Sequence, residues 1–260
     1  DNNHTLFVYN WREGTLQCKG KGDGNKVMAV SWSPDDKSIV TCGVKSFRVW
    51  SPKGRNLKSK KGLFGKAAKI QPLLSIAWMR QEGEGEGEER TPDTYQCVLG
   101  AADGNLCKLE SNEDGTTGRK IAEAFGGGGE PHEKAVNTLF SVPLDFDGPL
   151  PLRGGIVSGD DAGKVAVWDN AGAQYQETID LNAEGIAPKC FKRNVRAVCM
   201  DEDCTKILVG TKGSEIYEFE ARAPEGVDGV FGKRIGDGPL VQAHCKDELW
   251  GLALHPSKPE

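Results

Sequence analysis

Ser158, Asp160 and Trp168 come close to a sialidase-type Asp box, S-x-D-x-G-x-x-W, and invite the question of chemistry first. The match fails twice. The required glycine would be residue 162, which is Ala162, and the tryptophan falls too late. A glycosidase also needs placed carboxylates and a nucleophile, and the four Tyr and scattered acids form no such set. Asp160, Asp161 and Gly163 lack the spacing of a calcium loop. The run Gly126 to Gly129 has no Lys-Ser/Thr after it, so it reads as a flexible loop rather than a phosphate cradle. The eight cysteines (18, 42, 97, 107, 190, 199, 204 and 245) include no CxxC pair. Most sit in apolar strand patterns, as small buried thiols of a reducing compartment do, with zinc or a disulfide framework as the alternatives. Asn3-His4-Thr5 fits a glycosylation sequon by chance. No nucleophile–base pair emerges. The chain therefore reads as a non-enzyme with no cofactor, no metal and no small-molecule substrate.

Composition narrows the partners. With 33 Lys+Arg against 38 Asp+Glu the formal charge is −5, so no global attraction to nucleic acid or to an anionic membrane is expected. No apolar run approaches the roughly 18 residues of a membrane helix, and no signal-type segment opens the sequence. The 34 Gly and 13 Pro suit many short strands joined by tight turns.

The elements that must position these residues repeat. One strand type ends in a bulky residue: SFRVW, NLCKL, KVAVW and SEIYEF, closing on Trp50, Leu109, Trp168 and Phe219. Phe7-Val8-Tyr9 is an earlier copy. A second type precedes each: SIVTCG, CVLGAA, GIVSGD and KILVGT, separated from the first by a turn rich in Gly, Asp and Lys. Such pairs read as hairpins. A third type comes earlier still: KVMAVSW, PLLSIAW, AVNTLF, NVRAVCM and ELWGLAL. Its aligned copies hold a small residue in one column (Ala29, Ser75, Thr138, Ala197, Gly251) and an apolar one in the next. Small residues there imply a strand that meets its neighbours at close quarters.

Two interruptions stretch the period. Glu82 to Glu89 alternates Glu and Gly and is expected to be a disordered acidic loop. Pro143 to Gly155 is a Pro/Gly-rich insertion. Without about a dozen residues from each, the repeat falls to 40–50 residues, a propeller period. The best helical candidate, Lys66 to Ile70, runs into Pro72. The expected fold is an all-β propeller of about four full blades, with partial blades at both ends and an incomplete ring.

Ile156-Val-Ser-Gly-Asp-Asp-Ala-Gly-Lys-Val-Ala-Val-Trp-Asp169 resembles the WD40 signature, and His132 lies four residues before Val136 as in its GH dipeptide. The resemblance implies a hydrogen-bonded network of His132, Ser158 and Trp168, with Trp50 and His244 in matching structural roles. The turn Asp of that pattern falls on Ala162 here. Asp103 holds the turn position one blade earlier, in a blade without the Trp. Two further stretches, Thr41 to Trp50 with Lys60-Lys-Gly-Leu-Phe-Gly-Lys66, and Ala243-His-Cys-Lys-Asp-Glu-Leu-Trp-Gly-Leu-Ala-Leu-His-Pro256, are similar to the echinoderm microtubule-associated-protein-like family. This resemblance runs from Asp1 to Pro259, nearly the whole of residues 1–260. It implies part of one propeller, the later blades of the first of two in tandem, and a place in the cytoplasm on the cytoskeleton, cilium or axoneme included. It also implies tubulin or microtubules as partner, with a general peptide-binding scaffold as the alternative.

One basic stretch reverses the local sign of charge. Lys53, Arg55, Lys58, Lys60, Lys61, Lys66 and Lys69 follow one another with no acid between them. The plain reading is a solvated outer strand. The sharper one is a patch that meets an acidic protein surface. RNA is a weaker candidate, because Phe64 is the only aromatic in the stretch and stacking platforms are missing.

Overall fold

The computed structural model describes residues 4–22, 24–83, 91–143, 153–174, 178–221 and 231–242. The acidic segment 84–89, most of the insertion, and the stretch 243–256 with His244 and Gly251 lie outside these residues. No helix occurs among the described residues.

Four four-stranded antiparallel meanders follow one another. The first comprises β3 (Val27–Trp32), β4 (Ile39–Gly43), β5 (Ser46–Lys53) and β6 (Asn56–Lys61). The second comprises β7 (Leu73–Gln81), β8 (Thr94–Ala101), β9 (Leu106–Ser111) and β10 (Thr117–Phe125). The third holds β11 (Val136–Ser141), β12 (Ile156–Asp160), β13 (Lys164–Trp168) and β14 (Ile179–Asp180). The fourth holds β15 (Val195–Met200), β16 (Lys206–Thr211), β17 (Glu215–Glu220) and β18 (Val241–Gln242). A hairpin of β1 (Thr5–Asn10) and β2 (Thr15–Lys21) precedes them. In every sheet the residue just after the second strand donates its N–H to a carbonyl just before the first: Val44 to Lys26, Ala102 to Pro72, Asp161 to Ala135 and Lys212 to Asn194. The repeat seen in the sequence is thus a repeat of backbone pairing.

The first strands lie side by side, β3 against β7, β7 against β11 and β11 against β15. Successive sheets stack face to face, and an apolar core fills each gap. Val40, Phe47, Leu73 and Leu99 lie in the first gap, Val98, Leu106, Ile156 and Trp168 in the second, and Val157, Val165, Val209 and Tyr217 in the third. This is the arrangement of WD40 propeller blades.

The small column has a specific cause at these seams. Ser75, Thr138 and Ala197 pair across the sheet with Gly100, Gly159 and Gly210. A Cβ at Gly100 would sit 2.8 Å from the carbonyl oxygen of Val136, and one at Gly159 would sit 2.4 Å from Cγ1 of Val195. The glycines let the first residue of the next blade close onto the sheet, and Ser75 Oγ donates to Val136 O at 3.0 Å there.

The N-terminal hairpin joins the edge of the first sheet through one parallel pair, Lys19 with Asn56. It curls over the face that points away from the second sheet. Leu6, Val8 and Cys18 pack on Trp50 and Leu57, much as Leu106 and Phe125 lie over Trp168. The inner half of that face stays open. Val27 is 48% exposed, whereas Leu73, Val136 and Val195, its counterparts in the later blades, are 0% exposed.

Candidate functional site

The residues that first suggested chemistry form a buried chain in the third sheet. Trp168 Nε1 donates to Ser158 Oγ at 2.7 Å. Ser158 Oγ lies 2.7 Å from His132 Nε2. His132 Nδ1 faces Asp160 Oδ2 at 3.3 Å, off the line of a good hydrogen bond. A carboxylate on that side favours the proton on Nδ1, so Ser158 donates to Nε2.

The order Ser–His–Asp is that of an acyl-transfer nucleophile and its base, but this arrangement is a brace. Ser158, His132 and Asp160 are each 0% exposed, and the serine oxygen is already engaged by the indole N–H. Asp160 also holds the turn, since its Oδ1 accepts from the backbone N–H of Ala162 at 3.0 Å and of Lys164 at 2.8 Å.

This corrects the sequence reading in one respect. The acid of the network is Asp160, and Ala162 does not interrupt it. The carboxylate reaches the histidine from the end of β12 instead of from the turn, a shift that residue counting does not reveal. In the second sheet, the Asp103 Oδ1 accepts from Asn105 N at 3.1 Å and closes its own turn.

Variants of the brace stand in the first and fourth sheets. Trp50 Nε1 donates to Thr41 Oγ1 at 2.8 Å, with Thr41 in the place of Ser158. In the fourth sheet Glu215, almost fully buried, accepts from Thr211 Oγ1 and from the N–H of Phe191 at 2.9 Å. Phe191 precedes Val195 as His132 precedes Val136, so Glu215 ties down the equivalent loop by another route. Cys190 sits beside this carboxylate. Burial first, and then the charge of Glu215, push its thiol up to about 11. Sequence reading gave Glu215 no structural role, because a lone Glu at the start of a strand carries no signal of burial. The hydroxyl shared by IVTCG and IVSGD was the visible sign of Thr41.

The seven basic residues are all exposed. Lys53 ends β5, and Arg55 lies in the turn to β6. Lys58 and Lys60 alternate on β6 with buried Leu57 and half-buried Ser59 and so share its outer face. Lys61, Lys66 and Lys69 line a cleft at the seam between the first and second sheets, joined there by Lys45. The run is therefore one basic edge with two aspects, a strand face and a cleft.

Comparison with known proteins agrees with this architecture. Residues 14–54 match the WD domain, G-beta repeat family. Over 99% of its length the chain is 30% identical to the 77 kDa echinoderm microtubule-associated protein of Lytechinus variegatus. It is similar to the echinoderm microtubule-associated proteins. Echinoderm microtubule-associated protein-like 2 of Rattus norvegicus is 27% identical and echinoderm microtubule-associated protein-like 4 of Homo sapiens 29%, again over 99% of this chain. The chain spans 31%, 32% and 22% of the lengths of these three proteins. The similarity thus covers only a portion of each of these proteins.

Proposed function

We propose that this WD40 module is a non-catalytic protein-binding surface that engages tubulin or microtubules through its basic edge, in the cytoplasm and on the cytoskeleton. The observation that carries the reading is the exposed, acid-free run from Lys53 to Lys69 in a chain of net charge −5, on a module related along its whole length to microtubule-associated proteins. Tubulin presents an acidic surface, and a basic edge facing it would speed encounter and make binding depend on salt. The candidate chemistry of the third sheet is spent on internal hydrogen bonds, which leaves surface recognition as the function. Pull-down of soluble tubulin tests the reading. The chain should retain tubulin at low salt, and reversal of Lys58, Lys60 and Lys61 to Glu should weaken capture. Equal capture by both proteins would remove the basic edge from the account. No capture by either would favour a general peptide-binding scaffold.

A further inference from the structure

We propose that the cleft at the seam of the first and second sheets is a site for an acidic, glutamate-rich peptide. This deepens the protein-binding reading above and rests on it. The cleft has a volume of about 870 Å³. Lys45, Lys61, Lys66 and Lys69 stand around it, and Asp103 is the single acid among the lining residues.

The charge is uncompensated. Among the described residues none of these four lysines has a carboxylate within ion-pair distance, whereas Lys108, Lys164 and Lys206 are paired with Glu123, Glu133 and Glu218. The Asp103 carboxylate already closes its own turn.

Lys45 also occupies a costly position. Its φ is +60°, and the matching turns of the other sheets place Gly104, Gly163 and Ser214 in the left-handed region. A lysine side chain gains nothing for the turn itself there. It does place an ammonium group at the edge of the cleft.

The floor is fixed in advance, which lowers the cost of binding. Gly62 N donates to Phe47 O at 2.8 Å, Leu63 N to Arg119 O at 2.7 Å, and Ile121 N to Leu63 O at 2.9 Å. Phe64 packs edge-on against Phe47, with ring centroids 5.6 Å apart. Leu63 and Ile70 remain 45% and 68% exposed beside the lysines, a place for an apolar side chain between the acids. Nucleic acid fits less well. The one aromatic lining the cleft, Phe64, is buried against Phe47, so no ring is free to stack on a base.

The test is fluorescence anisotropy of a short labelled oligoglutamate peptide containing one leucine, titrated with the 260-residue chain. Wild type should bind, and added salt should weaken binding. Lys66→Glu with Lys69→Glu, or the milder change of both to Gln, should weaken it about tenfold. Lys189→Glu with Arg193→Glu, an equal change of charge on an exposed loop before the fourth sheet, should leave it within about twofold. Lys45→Gly should weaken binding yet melt at or above the wild-type temperature, since glycine suits that φ. Failure of the peptide to bind, or equal weakening by the two Glu pairs, would overturn the proposal. So would an oligouridylate that binds as tightly and is lost in the same variants. Microtubule pelleting of the Lys66/Lys69 variants separates the two readings. Peptide binding absent with pelleting intact sinks the cleft alone. Peptide binding intact without pelleting sinks the microtubule reading alone.

Discussion

His132 and Asp160 face each other at 3.3 Å inside the third sheet, and neither is exposed to solvent. The pair joins the loop before β11 to the turn after β12, and Ser158 passes the connection on to Trp168. Asp160→Ala would leave a buried imidazole unsupported and free two turn N–H groups, a loss of about 2–4 kcal/mol. Ala162→Asp should change stability by no more than about 0.5 kcal/mol. Trp168→Ala, which opens a cavity as well, should cost about 3–5 kcal/mol. Urea unfolding of the three variants checks the order. A large effect at residue 162 with none at Asp160 would move the acid of the network back into the turn.

Gly159 and Val195 form a seam contact that no side chain can enter. Gly159→Ala should cost about 1–3 kcal/mol by overpacking, and Val195→Ala about 2 kcal/mol by leaving a void. In the double variant the new methyl fills part of the void, so its loss should be smaller than the sum of the two. Additive losses in thermal unfolding would mean that the two residues do not share one space.

Val27 and Val136 occupy the same place in successive repeats but differ in cover. Val136→Ser should cost about 2 kcal/mol or more, through lost apolar burial and a buried hydroxyl. Val27→Ser in this 260-residue chain should stay within about 0.5 kcal/mol. Equal losses would show that something covers the inner half of the first sheet's face.

Burial pushes the Cys42 and Cys107 thiols up to about 12 and Cys199 to about 11. An unfolded thiol loses its proton near pH 8.5. Above that pH the unfolded chain binds fewer protons than the folded one, so stability falls as pH rises toward the folded values. Below it these thiols make no difference to the slope. Melting temperature should therefore drop between pH 9 and 11, and the drop should be shallower in Cys42→Ala with Cys107→Ala. Parallel slopes would point to other groups.

The fold was legible because its signals are periodic. Trp50, Leu109, Trp168 and Phe219 mark the third strand of each blade, and all four are buried. The small column marked the seams, although its cause lay one strand over, at Gly100 and Gly159, where glycine reads from sequence as an ordinary turn former. The brace was legible through His132, Ser158 and Trp168, but its acid was placed two residues late. Side-chain reach fixed that choice, and spacing does not encode reach. Lys45 was missed because it lies outside the basic run in sequence and joins Lys61, Lys66 and Lys69 only when β4 and β5 turn back beside the loop that follows β6. Glu215 shows the same gap, since its hydrogen-bond partner Phe191 lies 24 residues away.

Co-sedimentation with stabilised microtubules across a salt series tests the proposed function most directly. The account predicts that the chain pellets with microtubules at low salt, that pelleting falls as salt rises, and that reversal of Lys58, Lys60 and Lys61 to Glu weakens it at every salt concentration while the melting temperature stays unchanged. Pelleting equal in wild type and triple variant, or insensitive to salt, would contradict the account.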